Sequence, residues 1–310
     1  FSSASEENFF WTNTALESES TARALYESAD WHNSGGDRTW ITPEVDLFFP
    51  QYPNFDLATY WQPRSLDPGS WQAGRDAGRV RLVNRLSLRN YRTGENLDLE
   101  MTKMYLEAPD PLRGHPAPDG VEYAGYTQVT SLTLLGERAA SMGPVGLWNL
   151  VQMPHGGELF VVTVTRAAPQ AYFGSVPEAD LDAGPSLVRY RMRAAGEQKI
   201  GLAAASVAGR GGYLYSAGEQ SALVVRNFFV NPSGEYVDRP WSAGSRPGDA
   251  VQACNVNGRW GRFSELEYHA PAIGAGTGRT HSEDVSQLWA YRGRPDAIRE
   301  ITRLLLGRDA

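Results

Sequence analysis

Apolar and polar residues alternate with period two along most of this chain, and helical periodicity is scarce. In "RVRLVNRLSLRNY" (79–91) the alternation reads as a strand. "NLDLEMTKMYLEA" (96–108) sets Leu97, Leu99 and Met101 against Asp98, Glu100 and Thr102. The intervening "RTGEN" supplies the Gly and Asn of a hairpin turn. Further strands are expected in "YTQVTSLTLLG" (126–136), "ELFVVTVTRA" (158–167), "SLVRYRMRA" (186–194) and "ALVVRNFFV" (222–230). Turn clusters such as "NPSGEY" and "AGRGG" separate them. One helix is expected near the end. "RPDAIREITRLLLG" has Pro295 at its start, Ile298, Ile301, Leu304 and Leu305 at helical spacing, and Gly307 as a stop. "TARALYESA" (21–29) carries a weaker helical pattern. No repeat, linker or composition break divides the chain. The expectation is an all-β fold: one domain over 1–310, made of two large antiparallel sheets with a short C-terminal helix. A barrel is the alternative.

Composition narrows the class. A chain of 310 residues is ample for a sizeable core, and 41% hydrophobic with 21% charged residues is ordinary for a globular protein. The formal charge of −7 offers no clustered basic face, so no nucleic-acid partner is expected. No apolar run approaches the roughly 20 residues that span a bilayer, so no membrane partner is expected either. The chain opens on "FSSASEENFFW" without a signal-peptide pattern, and an upstream piece, with N-terminal strands, is expected to be missing. A periplasmic or secreted setting is expected ahead of the cytoplasm. Cys254 is the lone cysteine, which rules out an internal disulfide and a thiolate metal cluster. Nine Trp and 14 Tyr fit either a large β core or faces that stack on sugar rings. Nothing here fixes the oligomeric state.

Four stretches stand out chemically. In "RFSELEYHAPAIG" (262–274) a strand places Phe263, Glu265, Glu267 and His269 on one face and Leu266 and Tyr268 on the other. The acidic face points to solvent or into a cleft. Two carboxylates at i and i+2 sit roughly 7 Å apart, close enough for one to raise the pKa of the other. "WHNSGGDRTWITPE" (31–44) gathers Gly35, Gly36, Asp37, Arg38 and Trp40 in a turn-rich segment. It reads either as a ligand loop or as a structural loop pinned by an Asp37–Arg38 pair. "VGLWNLVQMPHGGE" (145–158) ends an apolar run with Trp148, Gln152 and His155. In "EQKIG" (197–201) Lys199 stands beside a turn, either solvated or binding a ligand. There is no phosphate-cradling glycine loop, nucleophile elbow or HExxH motif. The histidines at 32, 115, 155, 269 and 281 lack metal-ligand spacing, so no metal and no cofactor are expected.

Together these stretches resemble the galactose mutarotase (aldose 1-epimerase) superfamily, whose fold is a β-supersandwich. "LEYHAP" (266–271) is similar to the late mutarotase strand that carries the catalytic base, which puts Glu267 in that position. "TGRTHSEDVSQLWAYRG" (277–293) resembles the closing strand. A nearer resemblance is to an uncharacterised bacterial branch with "GGDK-W-x-x-P", "ALW-x-x-TQ-x-P" and Lys-hydrophobe-Gly segments. Here "GGDRTWITPE", "VGLWNLVQMP", "KIG" and "ALVVRNFFV" match them in order, over roughly Trp31 to Arg292. The mutarotase acid is a mid-chain His, and the comparable segment here carries Trp148 and Gln152 instead. His155, His32 and His269 are the substitutes to consider. The resemblance implies a cleft for a sugar or oligosaccharide. Glu267, Glu265 and His155 would be catalytic. Asp37, Arg38, Trp40, Trp148, Gln152, Lys199 and His269 would bind the substrate. The simplest activity is sugar epimerisation. A glycoside hydrolase would draw a second carboxylate from Glu265, Asp37 or Glu44. A polysaccharide lyase would use Arg38 or Lys199 to neutralise a uronate. A non-catalytic carbohydrate-binding protein is the remaining alternative.

Overall fold

The computed structural model describes residues 1–5, 7–28, 32–76, 79–116, 118–241 and 247–310. Ala29 and Trp31 lie outside these, so the weaker helix and the first glycine-rich segment are followed from their other residues. Along the chain, β1 is Asp37–Thr42, β2 Gln72–Asp76, β3 Arg79–Arg89, β4 Asn96–Glu107, β5 Glu122–Leu134, β6 Gly146–Pro154, β7 Glu158–Thr163 and β8 Gln170–Phe173. Then β9 is Leu181–Ala183, β10 Leu187–Arg191, β11 Gln198–Leu202, β12 Val207–Ala217, β13 Gln220–Phe228, β14 Val251–Gly258, β15 Gly261–His269 and β16 His281–Gly293. The α-helices are α1 Glu19–Glu27, α2 Glu44–Leu47 and α3 Pro295–Leu306.

The strands form two antiparallel sheets. The smaller has the order β1-β6-β15-β14-β11-β8, and the larger β2-β3-β4-β5-β16-β13-β12-β7-β10-β9. Neither order closes on itself, which sets the barrel aside in favour of a sandwich. The hairpin at "RTGEN" forms as its residues require: Arg89 pairs with Asn96, and Gly94 takes a φ of 74°. Helix α3 begins on Pro295 and is stopped by Gly307 at φ 108°. It lays Ile298, Ile301 and Leu305 on Leu223, Val225 and Trp289, on the outer face of the large sheet. Leu304, expected on the same stripe, is 48% exposed instead, because the stripe is completed by Leu306.

The main core lies between the sheets. Val151, Ala253, Leu266 and Tyr268 of the small sheet meet Val161, Tyr213, Val224 and Leu288 of the large one. Toward β1 this interior turns polar. Arg226, 1% exposed, pairs with Asp37 at 2.7 Å. It also donates to Gln128 at 2.9 Å and to Ser286 at 3.1 Å. Tyr126 donates to Asp37, and Tyr268 donates to Asp284 at 2.6 Å. Asp37 therefore points into the sandwich, and Arg38, the next residue on the strand, points out of it. The Asp37–Arg38 pair of the structural-loop alternative does not form, since neighbours on a strand face opposite ways.

Removing one member of a buried ion pair strands the other. Asp37→Asn is expected to lower stability by about 3–5 kcal/mol in urea unfolding. A loss under about 1 kcal/mol would show that Arg226 is satisfied without it.

Candidate active site in the small sheet

Directly opposed residues on antiparallel strands share a face. Glu265 of β15 lies opposite Gln152 of β6 and Cys254 of β14. Cys254 lies opposite Lys199 of β11, which lies opposite Phe173 of β8. One row across the small sheet thus reads Gln152, Glu265, Cys254, Lys199, Phe173. The row beside it holds Arg38, Leu150, Glu267 and Gln252, and the next Trp40, Trp148 and His269. The alternate residues on each strand are taken by the inter-sheet core, so this face is turned away from it.

The chain between β1 and β2 roofs that face. Phe48 and Leu66 pack with Trp40 and Trp148, and the Glu44 backbone N–H donates to Asp238 at 2.6 Å. Leu57, Tyr60 and Trp260 line the remaining opening. The cavity, open on that side, holds about 50 Å³, room for a few water molecules.

Its floor is charged. Lys199 is 2% exposed, with Nζ 3.2 Å from Glu267 Oε2 and 3.4 Å from Glu44 Oε2. The ammonium also sits 4.2 Å from the centre of the Trp148 ring. Burial works against its charge, but Glu267 and Glu44 more than offset this and hold its pKa above the ordinary lysine range. Gln152 Nε2 donates to Glu265 Oε1 at 2.6 Å. Burial raises Glu265 and Glu44 above the usual carboxylate range. Glu267 is pushed up to about 8, by burial first and by Glu265 after it, against the pull of Lys199. Three carboxyl groups around one ammonium cannot all ionise near neutral pH, so the cluster holds a proton. His269 stacks on Trp148 at 5.7 Å and 18°. Burial and then Lys199 lower its pKa well below the ordinary value, so the imidazole is neutral at pH 7.

Several buried polar atoms here have no hydrogen-bond partner among the described residues. They are Glu267 Oε1, both ring nitrogens of His269, Gln152 Oε1, Gln252 Oε1 and Trp148 Nε1. A stranded buried polar group costs about 1–3 kcal/mol, and native proteins carry few of them. Trp148 and Gln152 line the aromatic-walled cavity, while Glu267 and His269 lie behind that wall, Glu267 against Lys199 and His269 stacked on Trp148. Stranded polar atoms on and behind one wall mark the cavity as a receptacle for a polar guest.

The structure brings Glu267, Glu265, Gln152, Trp148, Trp40, Lys199 and His269 to this face. It does not bring His155, whose Nε2 lies 3.1 Å from Ala194 O beyond the end of β6, while Glu267 sits opposite Leu150. Asn33, and not His32, lines the cavity. Arg38 is on the cavity side but is committed to Asp67, Ser34 and the Gly35 carbonyl. Lys199 is neither solvated nor beside a turn: it stands within a buried five-residue strand. Sequence reasoning missed Tyr60, Asp238 and the placement of Cys254. Alternation in "VQACNV" would have put Gln252 and Cys254 on one face. A second signal was open to view: of 29 Lys and Arg residues only Lys103 and Lys199 are lysines, and both are buried. Cys254 Sγ and carboxylate oxygens of Glu265 and Glu267 lie within 4.8 Å of one another, a grouping able to ligate a metal. Burial, then the two glutamates, hold that thiol protonated, and the Lys199 ammonium already supplies a cation beside Glu267.

A family profile matches residues 2–309, and the chain belongs to this family, DUF6786, described as a family of unknown function. No curated protein matches it. Among solved structures it is similar to a protein of Klebsiella pneumoniae subsp. pneumoniae, provisionally assigned as an aldose 1-epimerase, at 10% identity and a TM-score of 0.29. The match covers 77% of this chain, and the chain spans 59% of that protein.

Glu267 makes stability depend on pH with a defined sign. Its folded pKa, about 8, lies above the ordinary 4.5, so between these values the native state holds a proton that the unfolded chain has released. Stability therefore falls as pH rises through that window. Urea unfolding at pH 5, 6.5 and 8 is expected to show this fall, and Glu267→Gln to flatten it. Parallel profiles for the two proteins would contradict the assignment.

Proposed function

We propose that this member of DUF6786 binds a sugar in the small-sheet cavity and interconverts its anomers, with Glu267 as the proton-transfer group. The observation that carries the reading is Glu267 itself. It is fully buried, its Oε1 lacks a partner among the described residues, and its pKa is pushed to about 8. It stands directly behind Lys199 and beside Glu265, both of which line the cavity walled by Trp40, Trp148, Tyr60 and Trp260. A carboxyl group poised near neutrality serves as base in one direction and acid in the other. The aromatic walls suit the apolar faces of a pyranose, and the stranded polar atoms suit its hydroxyls.

In this reading the Glu267 carboxylate takes the proton of the anomeric hydroxyl. The electron pair left on that oxygen forms the carbonyl, and the bond from C1 to the ring oxygen breaks. A second group must protonate the departing ring oxygen. His155 is remote and His269 is neutral, so the role passes to Glu265, which burial favours in its protonated form. Carboxyl oxygens of Glu265 and Glu267 lie within 4.8 Å of each other on one wall. The two oxygens they would serve are both bonded to C1, so one wall suffices. A glycoside hydrolase needs its carboxyl groups on opposite sides of the bond, which Glu265 and Glu267 of one strand do not offer; Glu44, facing them from the roof, is committed to the Lys199 ammonium. Lys199 fixes the Glu267 carboxylate, and Gln152 fixes Glu265. Contact of a pyranose with Glu267 requires the groups in front of it to give way, because Glu267 is fully buried.

A panel of aldoses tested by thermal shift identifies the ligand, since binding to the native state alone raises the melting temperature. Exchange between anomers is then followed by NMR. Glu267→Gln is expected to slow exchange by about a hundredfold or more while retaining the ligand. Unchanged exchange in that variant sinks the assignment. Binding without any exchange by the native protein would make this a sugar-binding protein.

A further inference from the structure

A second cavity opens on the other side of Trp40, which forms a wall of both. It measures about 130 Å³ and is bounded by Asp37, Arg38, Asp67, Trp71 and Lys103. Its charges nearly cancel in pairs. Asp37 is bound to Arg226 at 2.7 Å, and Asp67 is bound to Arg38 and accepts the Trp40 indole N–H at 2.9 Å. That leaves Lys103. It projects from β4 on the inner side of the large sheet, with 7% of its surface exposed. Its Nζ sits 5.0 Å from the centre of the Trp71 ring. No carboxylate among the described residues lies within ion-pair distance of it. Burial, its largest influence, lowers its pKa to about 8, against the pull of Asp37.

A lysine is an expensive residue to bury without an anion. This chain meets its other needs for positive charge with arginine and has only two lysines. One of them, Lys199, stands on two carboxylates; the other faces a cavity with none to itself. We propose that the Trp71–Lys103 cavity is an anion subsite, taking a compact oxyanion, the carboxylate or phosphate of a small molecule, against the Lys103 ammonium. Asp67 is taken by Arg38 and Asp37 Oδ2 by Arg226, while the buried Asp37 Oδ1, which has no hydrogen-bond partner among the described residues, marks the side of the cavity the anion avoids. The Trp71 face beneath the ammonium and Trp40 alongside give it apolar edges. The site stands on its own residues and does not depend on the role given to Glu267.

The two-lysine composition makes the test direct. Protein labelled at the lysine ε-carbon gives two lysine NMR signals, and Lys103→Arg assigns them. Sodium glucuronate, inorganic phosphate and glucose are titrated separately at constant ionic strength. The expected result is a saturable shift of the Lys103 signal with glucuronate, with phosphate or with both, and none with glucose. The responding anion tells a carboxylate source from a phosphate one. Lys103→Met is expected to weaken binding of that anion, measured by calorimetry, by about tenfold or more, the usual worth of a charge-assisted hydrogen bond. Glu267→Gln leaves it unchanged. If neither anion moves the Lys103 signal at millimolar concentration, the proposal is wrong. It is equally wrong if Lys103→Met binds the responding anion as the native protein does. Should Lys103→Met fail to fold, the signal shift in native protein decides alone.

Discussion

The ammonium of Lys199 is held on both sides by carboxylates of different origin. Glu267, at 3.2 Å, rises from the sheet floor, and Glu44, at 3.4 Å, descends from the segment that roofs it. One buried charge therefore fastens roof to floor. The arrangement is not a cheap source of stability, because desolvating such ions costs about as much as their attraction returns. Its value is geometric. It leaves a defined gap between two layers that would otherwise close on their aromatic side chains. It also sets the protonation of its surroundings, since whichever carboxyl group the ammonium does not neutralise has to keep a proton.

The two faces of the small sheet divide the work. The inward face is ordinary sandwich core, with Val151, Ala253 and Leu266 against the large sheet. The outward face carries rows of polar side chains across adjoining strands, each aligned by antiparallel register. Because the rows are set by the backbone ladder and not by loops, their spacing is fixed by the sheet. The roofing residues Leu57 and Tyr60 come instead from the chain between β1 and β2.

Helical spacing between Pro295 and Gly307 places the closing helix, and period-two alternation is enough to place most strands of the large sheet and the shared face of Glu265, Glu267 and His269. It could not say whether that face met water or a cavity, because the answer depends on Glu44, Phe48 and Tyr60, which arrive from some 200 residues upstream in the chain. Strand β11 escaped notice for a related reason. Beside Gly201, Lys199 resembles the edge of a turn, and only its two distant partners explain how it can be buried. Asp37 and Arg38 misled by adjacency: opposite charges side by side suggest a pair, yet an extended backbone sends them to opposite sides of the sheet. The lysine count was legible throughout. Its meaning came only with the burial of both residues.

That count has a consequence for the exterior. Arginine keeps its proton well into the alkaline range where lysine loses it. A surface whose cationic side chains are guanidinium groups therefore holds its pattern of charge at pH values that would discharge a lysine-rich one. The chain's side-chain amines, by contrast, are both interior, one to each cavity. Acylating reagents and reactive aldehydes that decorate most proteins at random meet an outer shell with almost nothing to attack, and what reaction they achieve reports on access to those two rooms.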